Sequence, residues 1–212
     1  MSCVNLYTGQ DNTCKQIFKK YYQQIVLVNK NDVESYVISS NIKIGSFTSS
    51  QKTNRVRFSL KTDKKGFLFR GPEKGSNYLA TFSKETDDNI PQYMHNVQLP
   101  IVGAGEETKN ILKTLDLSVY FAAIQFMDGT VEIYGFENGL ITEDYDFDLT
   151  GGAGGSLINL ISHENGLEDD PPYIYVPLTG SANTDFNNLF ENIVDVDLGD
   201  FNDDFNNDFD IT

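Results

Sequence analysis

The chain of 212 residues contains no tryptophan, only two cysteines, and no apolar run near the roughly 20 residues that cross a bilayer. Cys3 and Cys14 do not form a C-x-x-C pair, so two reduced thiols are expected, with a single disulfide as the alternative. The first ten residues lack a basic region followed by an apolar core, which argues against a signal peptide. We therefore expect a protein made in the cytoplasm, with no membrane partner.

Basic residues are absent from nearly half of the chain. All 16 lysines and arginines lie at or before Lys113, together with ten acidic residues, and the remaining residues carry 21 acids and no basic side chain. Such polarity concerns partners and solubility rather than fold. Three interpretations stay open: a solvated surface with an acidic tail, subunits that stack basic face on acidic face, and an acidic lining past which duplex DNA slides.

Aromatic residues are plentiful, with 15 phenylalanines and 11 tyrosines, and this composition favours strands. The clearest series of strands runs from Tyr120 to Tyr175. The apolar segment Tyr120–Met127, an Asp-Gly turn and the alternating segment Thr130–Phe136 predict a hairpin. Alternation returns at Ile141–Leu149 and Leu157–Ile161. No helix signal interrupts this series, so an antiparallel sheet is expected.

The first half of the chain predicts further strands and one helix. Gln24–Val28 has the pattern of a buried strand, and Arg55–Leu60 alternates apolar with polar residues. Alternation also marks Asn41–Thr48, and shorter strands are expected at Gly66–Arg70, Asn77–Phe82 and Tyr93–Val102, where Pro100 requires an edge, a bulge or a strand end. Acids in a first turn and apolar residues at helical spacing predict a helix over residues 106–117.

The strand-rich stretch from Tyr120 to Tyr175 carries a recognisable order of motifs. An Asp-Gly turn precedes a strand that ends in Gly-x-x-Asn-Gly-Leu, and a Thr-Gly-Gly loop, another strand and a Gly-Leu-Glu-Asp segment follow before Pro-Pro. This order resembles the tail-tube and ring-type virion proteins of tailed bacteriophages, and it is most similar to those of crAss-like phages of gut Bacteroidetes.

The resemblance implies a non-enzymatic structural protein of the virion, assembled in the host cytoplasm. Identical subunits would form a ring of the tail, whether tube, barrel or neck, and the ring would build the channel for genome ejection. Neighbouring tail or neck rings and portal-proximal proteins would be its partners, and genomic DNA would pass through the lumen without specific binding.

The predicted fold class is therefore mainly β (α+β): an antiparallel β-sandwich of tail-tube type flanked by one helix, with an extended acidic C-terminal arm. Residues 1–179 would form the ring or tube domain, and residues 180–212 the arm. The arm has nine acids, no basic residue and a loose Asp-Phe-Asn repeat. We expect assembly contacts in the arm and in the glycine-rich loop, at Phe186, Phe201, Phe205, Phe209, Gly151 and Gly155.

Signals for catalysis, cofactors or metals are weak, and we predict no catalytic, cofactor-binding or metal-binding residue. His95 and His163 are the only histidines. Residues 103–108 follow a strand and open a helix as dinucleotide-binding loops do, but the third glycine is missing and two acids would repel a pyrophosphate. The Asp-x-Asp-x-Asp pattern from Asp144 resembles the start of an EF-hand loop, but Leu149 and Gly155 stand where that loop needs Gly and Glu.

Single-stranded DNA binding is the alternative function. Basic residues alternate with aromatic residues through the segment from Arg55 to Tyr78, and strands of this composition are used by single-strand binders. An acidic C-terminal tail with aromatic residues is similar to the tails of phage single-stranded DNA-binding proteins, which recruit other proteins. The net charge of −15 argues against this alternative.

Overall fold

Strands make up most of the chain that the computed structural model describes, namely residues 22–38, 42–44, 47–49, 54–70, 80–87, 90–103, 105–126, 129–145, 155–163 and 165–177. The strands are β1 Tyr22–Asn29, β2 Val33–Ile38, β3 Ile42–Ile44, β4 Phe47–Ser49, β5 Arg55–Leu60, β6 Phe67–Arg70, β7 Ala80–Asp87, β8 Ile90–Val102, β9 Tyr120–Phe126, β10 Val131–Tyr134, β11 Leu140–Thr142, β12 Gly155–Ser162 and β13 Tyr173–Tyr175. A helix, α1, spans Glu106–Leu115, and a short 3-10 turn at Lys30–Asp32 joins β1 to β2.

Strand β9 is the centre of the sheet, and every one of its residues is buried. β1 pairs along its whole length on one edge, from Tyr22 opposite Phe126 to Asn29 opposite Tyr120. β10 and then β11 therefore share the other edge. A strand buried on both faces needs a nearly continuous apolar sequence rather than an alternating one, which is the pattern of YFAAIQF and of the QIVLV within β1.

Two apolar cores lie on opposite faces of this central pair of strands. Successive residues of β9 point to opposite sides, so Ala122 and Ile124 enter one core while Phe121 and Ala123 enter the other. The first core is closed by β8, β11, β12 and α1, and the second by β2, β5, β10 and β13. In the second core Phe58 and Phe121 meet edge to face at 5.1 Å, and burying each ring contributes roughly 1.5–3 kcal/mol.

In the part of the chain that the structure describes, the large sheet has 11 strands and is mixed. Its main path runs β2-β5-β13-β10-β9-β11-β12-β8-β7, and β6 joins through β1. The expectation of a wholly antiparallel sheet is wrong at one position, because β13 pairs antiparallel with β10 but parallel with β5. β13 lies between β10 and β5, which both precede it in the sequence and run in opposite directions. It can therefore be antiparallel to only one of them.

The predicted helix is confirmed and ends slightly early. Gly105 is its N-cap residue, Glu106 and Glu107 occupy the first turn, and Asp116 is the C-cap. Thr108, Leu112 and Leu115 are its buried residues, and their spacing produces the apolar stripe that closes the first core. Among the described residues no helix has both the length and the apolar character needed to cross a membrane.

Several predicted strands need correction. Of the predicted strand Ile141–Leu149, the part up to Thr142 is a strand, Glu143 still donates its N–H to Asn159 of β12 at 2.9 Å, and the Tyr145 hydroxyl donates to Asp116 at 3.2 Å. Residues 146–149 lie outside the described residues. The alternating stretch Asn41–Thr48 contains two short strands, β3 and β4, which pair with each other. The first half of Asn77–Phe82 lies outside the described residues, and β7 starts at Ala80.

Pro100 lies inside β8 and fits the constraint expected for it. It stands opposite Leu157 of β12, whereas β7 pairs with β8 no further along than Val97. At Pro100, therefore, β8 has a strand neighbour on only one of its edges among the described residues. On its other edge, the N–H that proline lacks would not belong to a ladder.

Candidate functional site

The residues expected to make assembly contacts fall mostly outside the described chain. Phe186, Phe201, Phe205, Phe209 and Gly151 all lie there. Gly155 does not belong to a loop as expected: it is the first residue of β12 and stands opposite Val102. Candidate surfaces for assembly are therefore sought among the described residues.

One such surface is the solvent-exposed side of β2, β5 and β13, which we call the outer face. On β5, Val56 and Phe58 point into the second core, so Arg55 and Arg57 point outwards and are exposed. Register places Val37 beside Arg57 and Ile174 beside Arg55 on this side. Val37 is 67% exposed and Ile174 46% exposed. The outer face thus combines two cations with two exposed aliphatic side chains, and Glu132 of β10 borders it beside Ile174.

The basic and aromatic residues of the single-strand-binding alternative do not all reach one surface. Phe58 is only 1% exposed and belongs to the second core, so it offers no face on which a base can stack. Phe69 packs against the first core, whereas Phe67 is exposed. Lys64 lies 3.6 Å from the Asp32 carboxylate. Lys74 and Tyr78 lie outside the described residues.

The ends of the sheet form a second candidate surface. Within the described residues β2 pairs only with β5, β7 only with β8, and the branching strand β6 only with β1. Side chains 81–85 of β7 are all exposed, including Phe82. A row of unpaired backbone groups on a long edge strand is a template for another strand.

An apolar cavity of about 690 Å³ lies between α1 and the strands β1 and β6. Leu27, Phe67, Phe69, Ile111 and Leu115 are among its lining residues. Glu106 and Glu107, both exposed, also line it, and no basic residue does so among those described. The cavity therefore combines apolar walls with a negative rim.

A buried carboxylate holds the loop between β10 and β11. Glu168 is completely buried, and its oxygens accept from the backbone N–H groups of Glu137 at 2.8 Å, Asn138 at 2.8 Å and Gly139 at 3.1 Å. Its own backbone exchanges two hydrogen bonds with Tyr93 of β8, at 2.8 and 2.9 Å. Burial raises the pKa of Glu168, and the three N–H donors oppose that shift.

His95 of β8 supports the start of the same loop. Its Nδ1 accepts from the backbone N–H of Gly135 at 2.9 Å, so the neutral ring carries its proton on Nε2. Nε2 is buried and has no partner at hydrogen-bonding distance among the described residues. Burial lowers the pKa of His95 to about 4, and a weaker interaction with the Asp170 backbone acts in the opposite direction.

Tyr173 of β13 ties the far side of the loop to the second core. Its hydroxyl lies 2.8 Å from Glu137 Oε1 and 2.8 Å from Asp170 Oδ2. A phenol has one proton, so it donates to one carboxylate at a time. Burial and both carboxylates raise the pKa of Tyr173, which keeps the hydroxyl a donor.

Metal-ligating groups do not converge in the described part of the chain. No group of three His, Cys, Asp or Glu side chains there is arranged to hold a metal ion. Asp144 is exposed after β11, and the rest of the Asp-x-Asp-x-Asp pattern lies outside the described residues. His163 is exposed and accepts from the Asn165 N–H at 3.1 Å.

Sequence reasoning did not identify the buried pair His95 and Glu168. A signal for His95 exists, because it shares the inward parity of Val97 and Leu99 on β8 and its burial follows from alternation. No local signal exists for Glu168, which follows a turn and precedes the exposed Asp169 and the half-buried Asp170. The loop that it binds is 29 to 31 residues away in sequence.

Comparison of the chain with protein-family models, with curated proteins and with solved structures gives no match.

Proposed function

We propose that this protein is a structural subunit of the virion of a tailed bacteriophage. Identical copies form a ring in the tail tube, barrel or neck, and the ring lines part of the channel through which the genome leaves. Neighbouring tail or neck rings and portal-proximal proteins stack on it. The role is structural rather than enzymatic, and its fold is a variant of the tail-tube sandwich with one flanking helix.

The observation that carries the proposal is the pair of open edges at the two ends of the main path of the large sheet, from which β6 branches as a further edge strand. β2 and β7 each have one strand neighbour among the described residues. The two edges belong to different strands. If the β2 edge of one copy pairs with the β7 edge of the next copy, the interface is head-to-tail. Interfaces of this kind close into rings when the rotation between copies allows it. Pairing between copies would also protect edges that otherwise promote aggregation.

The charge distribution supports a channel that does not hold DNA. The residues after Lys113 carry 21 acids and no basic side chain. Lysines and arginines that neutralise phosphates make DNA binding strong and salt-dependent. A lumen lined by the acidic part of the chain would repel the phosphates instead, and the genome would slide without adhesion.

The first test is the mass of the purified full chain. Sedimentation or mass photometry should show one closed oligomer rather than a monomer, and negative-stain images should show rings. A chain that stays monomeric at all accessible concentrations would contradict the proposal.

A matched pair of variants then tests the β7 edge. Consecutive residues of a strand direct their N–H groups to opposite edges, so Ser83→Pro and Lys84→Pro remove groups from different sides of β7. One variant should lose a hydrogen bond to β8 and melt at a lower temperature. The other should keep the melting temperature of the parent protein and fail to assemble, because only the open edge has changed. Normal rings from this second variant would show that subunits do not pair through β7.

A further inference from the structure

The outer face leaves Val37 and Ile174 exposed beside two arginines, and this combination has the chemistry of a binding surface for an acidic, aromatic peptide. We propose that the outer face binds residues 201–205 of the C-terminal arm of a neighbouring copy. The inference rests on the proposed ring and identifies the surface on which the arm joins one subunit to the next.

Spacing on the sheet matches spacing in the arm. Val37 on β2 and Ile174 on β13 are separated by β5, and their partners Arg57 and Arg55 are two residues apart. With strands about 4.8 Å apart and a rise of about 3.3 Å per residue, the two aliphatic side chains are about 12 Å apart on the diagonal. In an extended arm, Phe201 and Phe205 are four residues apart, or about 13 Å.

The charged residues of the outer face and of the arm lie between the apolar residues in both cases. Both arginines lie on β5, between the strands that carry Val37 and Ile174. Asp203 and Asp204 lie between Phe201 and Phe205 in the arm. Side chains of an extended segment alternate, so an arm laid across the three strands places Phe201 and Phe205 on the aliphatic side chains and the Asp203 carboxylate over the guanidinium groups, while Asp204 points away from the sheet. Arginine is suited to this role because its guanidinium presents a fork of donors to a carboxylate.

The charge at the cavity makes it a poor site for the arm. Although the apolar walls between α1 and β6 would accept phenylalanine, Glu106 and Glu107 line the rim. Aspartates beside each phenylalanine would meet like charges there, whereas they meet arginines on the outer face. Complementary charge selects among partners more than it adds affinity, so it distinguishes these two apolar surfaces.

A neighbouring copy is the expected donor of the arm because of where the outer face lies. It extends onto β2, the strand at one end of the sheet, and the open edge of β2 is the proposed contact with the next subunit. The arm of that subunit would thus continue an interface that edge pairing has already begun.

Photo-cross-linking of the full chain tests the contact directly. Benzoylphenylalanine replaces Phe205, and chains grown with ¹⁴N and ¹⁵N are mixed, assembled and irradiated. Cross-links to Val37, Arg57 or Ile174 that join a light chain to a heavy chain are expected. Cross-links to these residues within one chain would show that each subunit binds its own arm, and cross-links to the cavity residues Phe67 or Ile111 would place the arm there. Either result would overturn the proposal.

Substitutions on the outer face separate the two kinds of contact. The double change Arg55→Gln with Arg57→Gln should weaken assembly by up to about fivefold for each ion pair at low salt, and by less at 0.5 M salt, where surface pairs are screened. The double change Val37→Ser with Ile174→Ser should weaken it equally at both salt concentrations. Lys109→Gln with Lys113→Gln is the matched control, because both lysines are exposed on α1 and the charge change is the same.

The outcomes distinguish this inference from the ring proposal. If rings form and only the outer-face variants weaken them, the ring proposal and the inference about the arm are both supported. If rings form and the outer-face variants behave like the lysine control, the arm binds elsewhere and this inference fails alone. If no variant and no parent chain forms rings, the proposed function fails as well.

Discussion

At the scale of single residues, the loop between β10 and β11 is held by side chains that reach it from distant strands. His95 accepts from the N–H of Gly135, and Glu168 accepts from three further N–H groups. Lys30 adds a contact from the other side, to the carbonyl of Glu137. Buried backbone donors without partners are costly, so two buried ionisable residues stabilise a loop that cannot pair its own backbone.

Glu168→Gln should destabilise the protein by about 1–3 kcal/mol. The amide keeps one acceptor oxygen, but its NH₂ group faces at least one of the buried N–H donors of the loop. The free energy of unfolding from urea titration measures the effect. Asp169→Asn is the control, because this neighbouring acid is exposed and the same amide replaces it. Equal stability of the two variants would contradict the role given to Glu168.

His95 should make the protein less stable in mild acid. Folding lowers its pKa from 6.5 to about 4, so its contribution is present above pH 6.5 and is lost as the pH falls towards 4. The loss between pH 7 and pH 4 is about 3 kcal/mol. Glu168 has a raised pKa and acts in the opposite sense, because its contribution is lost as the pH rises above 4.5.

Comparison of three proteins isolates the histidine. His95→Gln keeps an acceptor for Gly135 but does not titrate, so its free energy of unfolding should fall less between pH 7 and pH 4 than that of the parent protein. His163→Gln replaces an exposed histidine and should retain the pH dependence of the parent. If His95→Gln and the parent lost the same stability in acid, the buried imidazole would not be the responsible group.

At the scale of elements, burial on both faces is a property that β1 and β9 share. Their apolar sequences predicted burial, and the two cores account for it. β10 and β11 both pair with the same edge of β9, one after the other. The loop between them bends the chain and returns it to that edge. The bend depends on glycine, because Gly135 and Gly139 have φ angles of 68° and 93°.

Gly135→Ala should destabilise the fold by more than about 1 kcal/mol. Its positive φ disfavours any side chain, and an added Cβ would collide with the side chain of the buried residue Leu140. Gly166→Ala is the control, since the nearest atom to its Cβ would be 3.6 Å away and its φ is not in the left-handed region. Thermal denaturation should show a lower melting temperature for Gly135→Ala alone. Similar melting temperatures would mean that the loop relaxes around a side chain.

At the scale of the whole molecule, the segregation of charge decides which partners the protein attracts. Its positive charge includes Arg55 and Arg57 on the outer face, while the arm and the residues after Lys113 are acidic. A chain of this kind attracts copies of itself and repels polyanions. The proposed ring through which DNA passes would make use of this arrangement.

The protein should not bind single-stranded DNA tightly. A gel shift or fluorescence anisotropy with a labelled oligonucleotide at about 0.15 M salt should show no sub-micromolar binding, because a strongly negative protein releases few counterions from DNA. The burial of Phe58 also removes one stacking surface. Tight binding that Arg55→Gln with Arg57→Gln abolishes would support the single-strand-binding alternative instead.

The sequence alone was sufficient for local features. Alternation and apolar runs located β1, β5, β9, β10 and α1, because side-chain period and burial are properties of a few consecutive residues. It also placed the charge boundary at Lys113, which needs only counting.

Only the tertiary structure decided which distant segments meet. The parallel pairing of β13 with β5 and the contact of Glu168 with the loop both join residues far apart in the chain. The outer face is a case of the same kind, since Val37, Arg57 and Ile174 come from three segments. Pairing and burial between such segments depend on the whole arrangement of the sheet, and no short stretch of sequence contains that information.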